Sequence, residues 1–403
     1  MPQDALSSPT PTVRTGLERL LTDELPRLRG RRVALLVNPT AVTARLQHAA
    51  DLLAAAPGVT LVRLFGPEHG IRGDAQDMIA VPGAGDPETG VEVVSLYGAH
   101  EDSLSPPPGS LDDVDVLIYD VQDIGTRFYT FAATLARCMD AAAAAGVEVL
   151  VCDRPNPIGG VLTEGAWPIA PGYESFVGHF PVAVRHGLTV GELARWHQRT
   201  RCPDVALEVL PLEGWRREHH YGDTGLPWVL PSPNMPTVDT ALVYPGMCLV
   251  EGTNLSEGRG TTRPFELVGA PWLSGPALAR ELERAGLAGV RFRAGGFTPT
   301  FQKHAGRPCG GVQLHVTDPR TFRPVACALA VLVAARKLAP ADFAWRAEAY
   351  EFVRDKPAID LLAGSPWLRE AIDAGATLPE LLQPWREDEH RYQEERRGFL
   401  LYA

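Results

Sequence analysis

The chain has no long apolar run, no paired-cysteine motif and no surplus of basic charge, and each gap removes a class of function. Its longest greasy stretch, Val325 to Ala335, falls well short of the roughly 20 residues that a bilayer-spanning helix needs. No membrane insertion is expected. With 38 Lys and Arg against 49 Asp and Glu, the formal net charge is −11, a field that repels polyanions and argues against nucleic acid as a partner. An anionic substrate would have to be recognised locally, by individual arginines. The six cysteines (Cys138, Cys152, Cys202, Cys248, Cys309, Cys327) show neither C-x-x-C nor zinc-ligand spacing, and they read as small core residues. The opening MPQDALSSPTPTVRTGLERLL lacks a basic region followed by an apolar one. A cytoplasmic protein is therefore expected from the chain as given, and an extracellular or periplasmic one if a leader is missing.

Cofactor loops are missing too. The first strand candidate is followed by NPTAVT rather than G-x-G-x-x-G, SEGRGTT (256–262) has no Gly-Lys-Ser/Thr core, and G-x-S-x-G does not occur. NAD, a nucleoside triphosphate and a serine-hydrolase elbow are thereby disfavoured, and no cofactor is expected. Glu68, His69, Asp74, Asp77 and the pair His219-His220 include ligand types. They form no spaced set such as H-E-x-x-H, so no metal is expected either.

What is present is a rhythm. Short apolar runs, RVALLVN (32–38), VTLVRLF (59–65), VEVVSLY (91–97), VDVLIYD (114–120) and VEVLVCD (147–153), alternate with helix candidates at 43–56 and 129–145, after an amphipathic segment at 15–28. Unbroken Val/Leu/Ile runs suit strands buried on both faces of a parallel sheet. The expected fold is α/β: a Rossmann-like, doubly wound parallel sheet with a second, smaller α/β C-terminal domain. A length of 403 residues and the Pro/Gly-rich crossing GDTGLPWVLPSPNMP (222–236) place the division at 1–235 and 236–403. The second part reads as a turn-rich, polar opening (240–272), a helix at 275–285, strands at 290–292 and 312–316, and a helix at 324–335. A terminal helix from Trp385 is expected to dock through Phe399, Leu400, Leu401 and Tyr402.

Each strand run ends in polar side chains: Asn38-Pro39-Thr40, then Gly66-Pro67-Glu68-His69, then Asp120, Gln122, Asp123 and Arg127, then Asp153-Arg154-Pro155-Asn156. Open parallel sheets bind ligands beyond their carboxyl strand ends. Glu68 stands out because Pro67 fixes the backbone ahead of it and glycines flank the turn. The other acids have plainer readings as strand ends and caps, and His186 precedes Thr189, a helix N-cap candidate. In EGTNLSEGRGTT, Glu251, Asn254, Glu257 and Arg259 are hard to bury and easily aimed at hydroxyls. With Tyr97, Phe128, Tyr129, Tyr173 and Trp272 they suit a sugar, which stacks on aromatic rings and takes forks of hydrogen bonds.

Taken in order, NPTAVT, FGPEHGIRGD, SLYG, DVLIYDVQDIGTRFYT, DRPNPIGG, SFVG, RHGLTVGELA, SPNMPT, EGTNLSEGRGTTRPFE and GAPW resemble the NamZ-type exo-β-N-acetylmuramidase family, glycoside hydrolase family 171. The resemblance runs over nearly the whole chain. It implies an enzyme that removes terminal N-acetylmuramic acid from the non-reducing end of peptidoglycan fragments, in wall turnover or recycling, with its active site in a cleft between the two domains. It also implies that Glu68 is the leading catalytic residue.

Glycoside cleavage needs a proton donor and a second group that stabilises or attacks the oxocarbenium-like centre. Glu68 is the expected acid, oriented by His69, and Asp120, Asp123, Glu251 and Glu257 are open for the second role, as is the substrate's own acetamido group. The lactyl carboxylate of muramic acid calls for a cation, with Arg127, Arg154 and Arg259 as candidates. Further substrate contacts are expected from Asn38, Arg72, Asp74, Gln122, Tyr129, Asp153, Asn156, His186 and Asn254. Two other readings stand beside this one, a metal-dependent hydrolase and a muropeptide-binding protein without catalysis.

Overall fold

The computed structural model describes residues 12–73, 85–98 and 100–403. Asp74 and Asp77 lie outside the described residues. Strands β1 (Arg32–Val37), β2 (Thr60–Gly66), β3 (Glu92–Ser95), β4 (Val116–Asp120), β5 (Glu148–Cys152) and β6 (Leu207–Leu210) form one sheet in the order β3-β2-β1-β4-β5-β6. All five pairings are parallel. This is the doubly wound order, in which the winding reverses between β1 and β4. Every residue of β4 is buried, as the unbroken apolar run requires.

Helices α1 (Gly16–Arg19), α2 (Ala49–Ala54), α3 (Phe131–Ala145) and α4 (Val190–Thr200) belong to the same half. Helix α3 ends where Gly146 takes φ 68°, and α4 starts at a capping box of Thr189 and Glu192. The segment 15–28 is capped by Thr15 and helical from Gly16 on, but it changes to π over Leu20–Glu24 and to 3-10 over Leu25–Leu28. The expected helix 43–56 is reduced to α2. Thr43 Oγ1 accepts from the backbone of Arg45 and Gln47 and Leu46 sits at φ 60°, so a side-chain-stabilised turn displaces the first helical turns.

The second, smaller domain holds α5 (Val238–Met247), an antiparallel sheet ordered β7-β9-β8, and α6 (Gly275–Arg284). Its strands are β7 (Leu267–Ala270), β8 (Val290–Phe297) and β9 (Cys309–Val316). Helices α7 (Pro324–Leu338), α8 (Ala358–Ala363), α9 (Trp367–Asp373) and α10 (Leu378–Arg396) follow. Helix α5 lies in the stretch expected to be turn-rich. Thr237 caps it, and Pro245, which cannot donate a backbone hydrogen bond, falls in its last turn, near the helix end. One apolar core runs through both halves, from Phe65 and Leu117 to Tyr244, Val250 and Leu329, so a packed seam joins the domains.

The chain end returns to the first domain. Phe399 stacks on Trp196 at 4.4 Å, the Leu401 N–H donates to Glu192 at 2.7 Å, and the Tyr402 hydroxyl donates to Asp153 Oδ2 at 2.5 Å. No helix among the described residues is long and apolar enough to cross a membrane, and the six cysteines are buried and unpaired.

Asp153 also accepts from Thr189 Oγ1 and the Gly191 N–H, both at 2.8 Å. Complete burial outweighs these bonds and pushes its carboxyl up from 3.8 to about 7. Between these two values the folded chain keeps a proton that the unfolded chain has released. This group's contribution to stability is therefore present at low pH and lost as pH rises through that window. Asp153→Asn removes the titration, so the Tm of the variant relative to the parent should rise between pH 5 and pH 8. A constant difference in Tm across that range would contradict the assignment.

Candidate active site

Strand β2 runs out at Gly66 into a turn closed by the Gly70 N–H on the Pro67 carbonyl at 3.0 Å. His69 holds φ 72° within it, a left-handed conformation that costs a non-glycine residue about 1–3 kcal/mol. The turn sets the buried side chains of Glu68 and His69 on the wall of a cavity of about 810 Å³, counting its open mouth. Tyr129, Thr130 and Phe131, at the start of α3, line the same side, and Ser232 and Asn234 come from the segment crossing between domains. The second domain supplies Glu251, Glu257, Arg259, Phe265, Gln302, Lys303, Arg346, Tyr350 and Glu351. Of the seven non-glycine residues with positive φ among the described residues, four line this cavity: His69, Phe265, Gln302 and Glu351. Backbone strain gathers where the surroundings must hold side chains in place for function.

Several charges in the cavity wall are held by partners on the chain. Thr130 Oγ1 donates to Glu68 Oε2 at 3.1 Å. Glu251 accepts from Arg259 Nη2 at 2.8 Å and from the Tyr350 hydroxyl at 2.9 Å. Burial alone would raise the Glu251 carboxyl, but Arg259, with help from Lys303 and Tyr350, holds it below its ordinary value. Glu257 accepts from Lys303 Nζ at 3.0 Å, and Arg259 Nε lies 3.6 Å from its other oxygen. Aromatic edges pack behind these groups: Tyr129 meets Phe131 at 5.0 Å and Tyr244 meets Phe265 at 4.7 Å. The Tyr129 hydroxyl is buried beside Ser232 and makes no hydrogen bond of normal geometry among the described residues.

Seven of the residues singled out from the sequence thus meet in one cavity: Glu68, His69, Phe128, Tyr129, Glu251, Glu257 and Arg259. The others lie outside its lining, occupied with the protein's own groups. Arg154 grips Asp120 through two bonds of 2.6 and 2.8 Å, with both side chains buried. Asn38 accepts from the Thr40 N–H at 3.0 Å and donates to the Pro231 carbonyl, and Gln122 donates to the carbonyls of Asp123 and Pro155. Asp123 accepts from the Gly125 N–H at 2.6 Å and faces His186 at 3.6 Å. Asn156 donates to the Leu188 carbonyl and lies so close to Gly125 that a Cβ there would come within 2.5 Å of its Oδ1. Asp153 anchors the chain end, as described above.

Arg127 spends its guanidinium on the carbonyls of Ala166, Val182 and Leu362, and burial lowers it to about 10. Arg72 pairs with Asp51 and Asp86, and Asn254 bolts the backbone at Asp342 and Ala344. Of the aromatic set, Phe128 and Tyr129 line the cavity, while Tyr97, Tyr173 and Trp272 do not. Lys303, Arg346, Tyr350 and Glu351 were not anticipated. They come from irregular segments with no periodicity or motif to mark them, whereas Ser232 and Asn234 sit in SPNMPT, within the Pro/Gly-rich crossing. The described residues with three potential metal ligands near one another are Asp140, His197 and Cys202, none of which lines this cavity.

The model of the N-terminal part of the exo-β-N-acetylmuramidase NamZ matches residues 33–239, and the model of its C-terminal part matches 242–402. The chain belongs to the NamZ exo-β-N-acetylmuramidase family. Within it, the peptidoglycan β-N-acetylmuramidase NamZ of Bacillus subtilis (strain 168) is 44% identical over 393 residues, covering 97% of this chain and 92% of that protein. Two DUF1343 family proteins of Bacteroides fragilis NCTC 9343 with crystal structures share the fold. One is 35% identical with a TM-score of 0.88, covering 98% of this chain and 100% of the other. The second is 30% identical with a TM-score of 0.76, covering 97% and 99%. Both NamZ models are needed to cover this cavity, since its walls come from either side of residue 240.

Removing one partner of a buried ion pair costs about 3–5 kcal/mol because the other charge is left uncompensated. Arg154→Met should therefore lower the denaturation midpoint sharply. A variant as stable as the parent but weakened in sugar binding would instead make Arg154 a ligand residue.

Proposed function

We propose that this chain is a glycoside hydrolase that releases terminal β-linked N-acetylmuramic acid from the non-reducing end of peptidoglycan fragments. The observation that carries the reading is the near-full-length similarity to a peptidoglycan β-N-acetylmuramidase, which spans both halves that wall the cavity. The chemistry of the wall agrees with it: carboxylates, amides and aromatic edges around a half-open space suit a sugar ring.

In this reading Glu68 protonates the leaving glycosidic oxygen. Pro67 and the left-handed His69 fix its backbone, the Thr130 hydroxyl orients its carboxyl, and His69 packs edge-on against Phe131 at 6.5 Å. Glu251 takes the complementary role. Held ionised by Arg259 and Tyr350, it suits stabilisation of the positive charge that develops at the anomeric carbon, or polarisation of the acetamido N–H if the substrate's own amide attacks. Asp120 is locked onto Arg154 and Asp123 onto the Gly125 backbone, and neither has a part in this mechanism. Glu257, braced by Lys303, keeps Arg259 in place from the other side.

The test is colorimetric. The parent chain should release 4-nitrophenol from its β-N-acetylmuramide, and Glu68→Gln should reduce kcat by about 10²–10⁴-fold, the usual loss for a positioned general acid, with Tm unchanged. Near-normal release by that variant would remove Glu68 from the mechanism. Binding without release by the parent would make the chain a sugar-binding protein, and loss of release in EDTA would favour the metal-dependent reading.

A further inference from the structure

We propose that Arg346 reads the lactyl carboxylate of N-acetylmuramic acid and so sets the preference for this sugar over N-acetylglucosamine. The inference rests on the function proposed above and goes one step further, to the group that distinguishes the substrate.

Three cations line the cavity among the described residues, and two are committed. Lys303 Nζ is enclosed by the carbonyls of Val250, Glu251 and Leu255 at 3.0–3.2 Å and by the Glu257 carboxylate at 3.0 Å. Arg259 lies between Glu251 and Glu257, with Phe265 beneath its guanidinium at 5.1 Å. Arg346 is different. The carboxylate near it is that of Glu348, 3.9 Å away and 80% exposed, an arrangement that contributes little. Its Nη2 donates to the Ala349 carbonyl at 3.2 Å, and its guanidinium rests on the Tyr350 ring at 5.1 Å.

The residue is nonetheless well placed. Its backbone N–H is bonded to the Gly252 carbonyl at 2.9 Å, its side chain is 22% exposed, and the ring beneath it is fixed by the Tyr350 hydroxyl on Glu251. A half-buried guanidinium without a buried counter-charge, facing a cavity whose wall also carries Glu68, Glu251, Glu257 and Glu351, is the one uncommitted cation among the described lining residues able to offset an incoming anion. Muramic acid differs from glucosamine only by a 3-O-lactyl ether, whose planar carboxylate matches a guanidinium fork. The arginines expected from the sequence do not meet this need: Arg127 and Arg154 are buried on internal partners and Arg259 is neutralised by two glutamates.

The test compares kcat/KM for 4-nitrophenyl β-N-acetylmuramide and for the same compound with its lactyl carboxylate converted to a carboxamide, using the parent, Arg346→Gln and Arg346→Lys. The parent should prefer the acid. Arg346→Gln should lose about 10- to 100-fold on the acid, the range for a charge-assisted hydrogen bond, and far less on the amide, so that the preference collapses. Arg346→Lys, which keeps the charge but not the fork, should retain part of it. An equal loss on both substrates, or a preference unchanged from the parent, would overturn the proposal. If the parent cleaves neither compound, the proposed function fails, and calorimetric binding of N-acetylmuramic acid and its carboxamide to the parent and Arg346→Gln decides the role of Arg346 separately. A parent preference for the acid that collapses in Arg346→Gln supports it; an unchanged preference, or no binding of either sugar, overturns it.

Discussion

The buried pair between Asp120 and Arg154 decides where this molecule can hold a ligand. It stands at the carboxyl end of β4, where the order of the parallel sheet reverses and where doubly wound folds open a crevice. Here the two-bonded guanidinium narrows that place, with Asn38, Thr40 and Gln122 bonded around it, to a cavity of about 300 Å³ lined by Thr40, Gln122 and Arg154. Two desolvated charges at this separation hold each other firmly, since neither can be released without leaving the other unpaired. The cavity is built elsewhere, past the end of β2 and against the first turn of α3, and the second domain closes it.

This displacement makes the second domain part of the site. A single apolar core crosses the seam, so the groups on the two walls are set relative to one another by packing. Arg127, donating from the first domain to a carbonyl at the end of α8, and Tyr402, returning to Asp153, add polar ties at two further points. The strained backbone of His69, Phe265, Gln302 and Glu351 persists because this packing determines the surrounding positions. The result is a preorganised ring of charge in which Glu251 and Glu257 are held by Arg259 and Lys303.

The parallel sheet was legible because its strands are buried on both faces and so read as unbroken apolar runs. Strand β6, LEVL, is short and interrupted by Glu208, and carries only part of that signal. Helix α5 was hidden by Pro245 and its turn-forming neighbours, and α2 was overestimated because the competing hydrogen bonds of Thr43 have no periodicity. At the site, Glu68 stood out through its strand-end position and the Gly-Pro frame. Asp120, Asp123, Asp153 and Arg154 carried the same strand-end signal, yet they face internal partners, and a single sequence does not say which way a polar side chain turns. Arg346 and Tyr350 reach the cavity through long-range folding alone.

In the proposed mechanism the seam cavity, and not the narrower crevice beside Asp120, receives the terminal muramyl residue. A crystal structure of the Glu68→Gln variant soaked with N-acetylmuramic acid tests it most directly. The account predicts the sugar in the seam, with its anomeric oxygen at residue 68 and its carboxylate on Arg346. A sugar seated against Arg154, Asn38 and Gln122, with the seam empty, would contradict it.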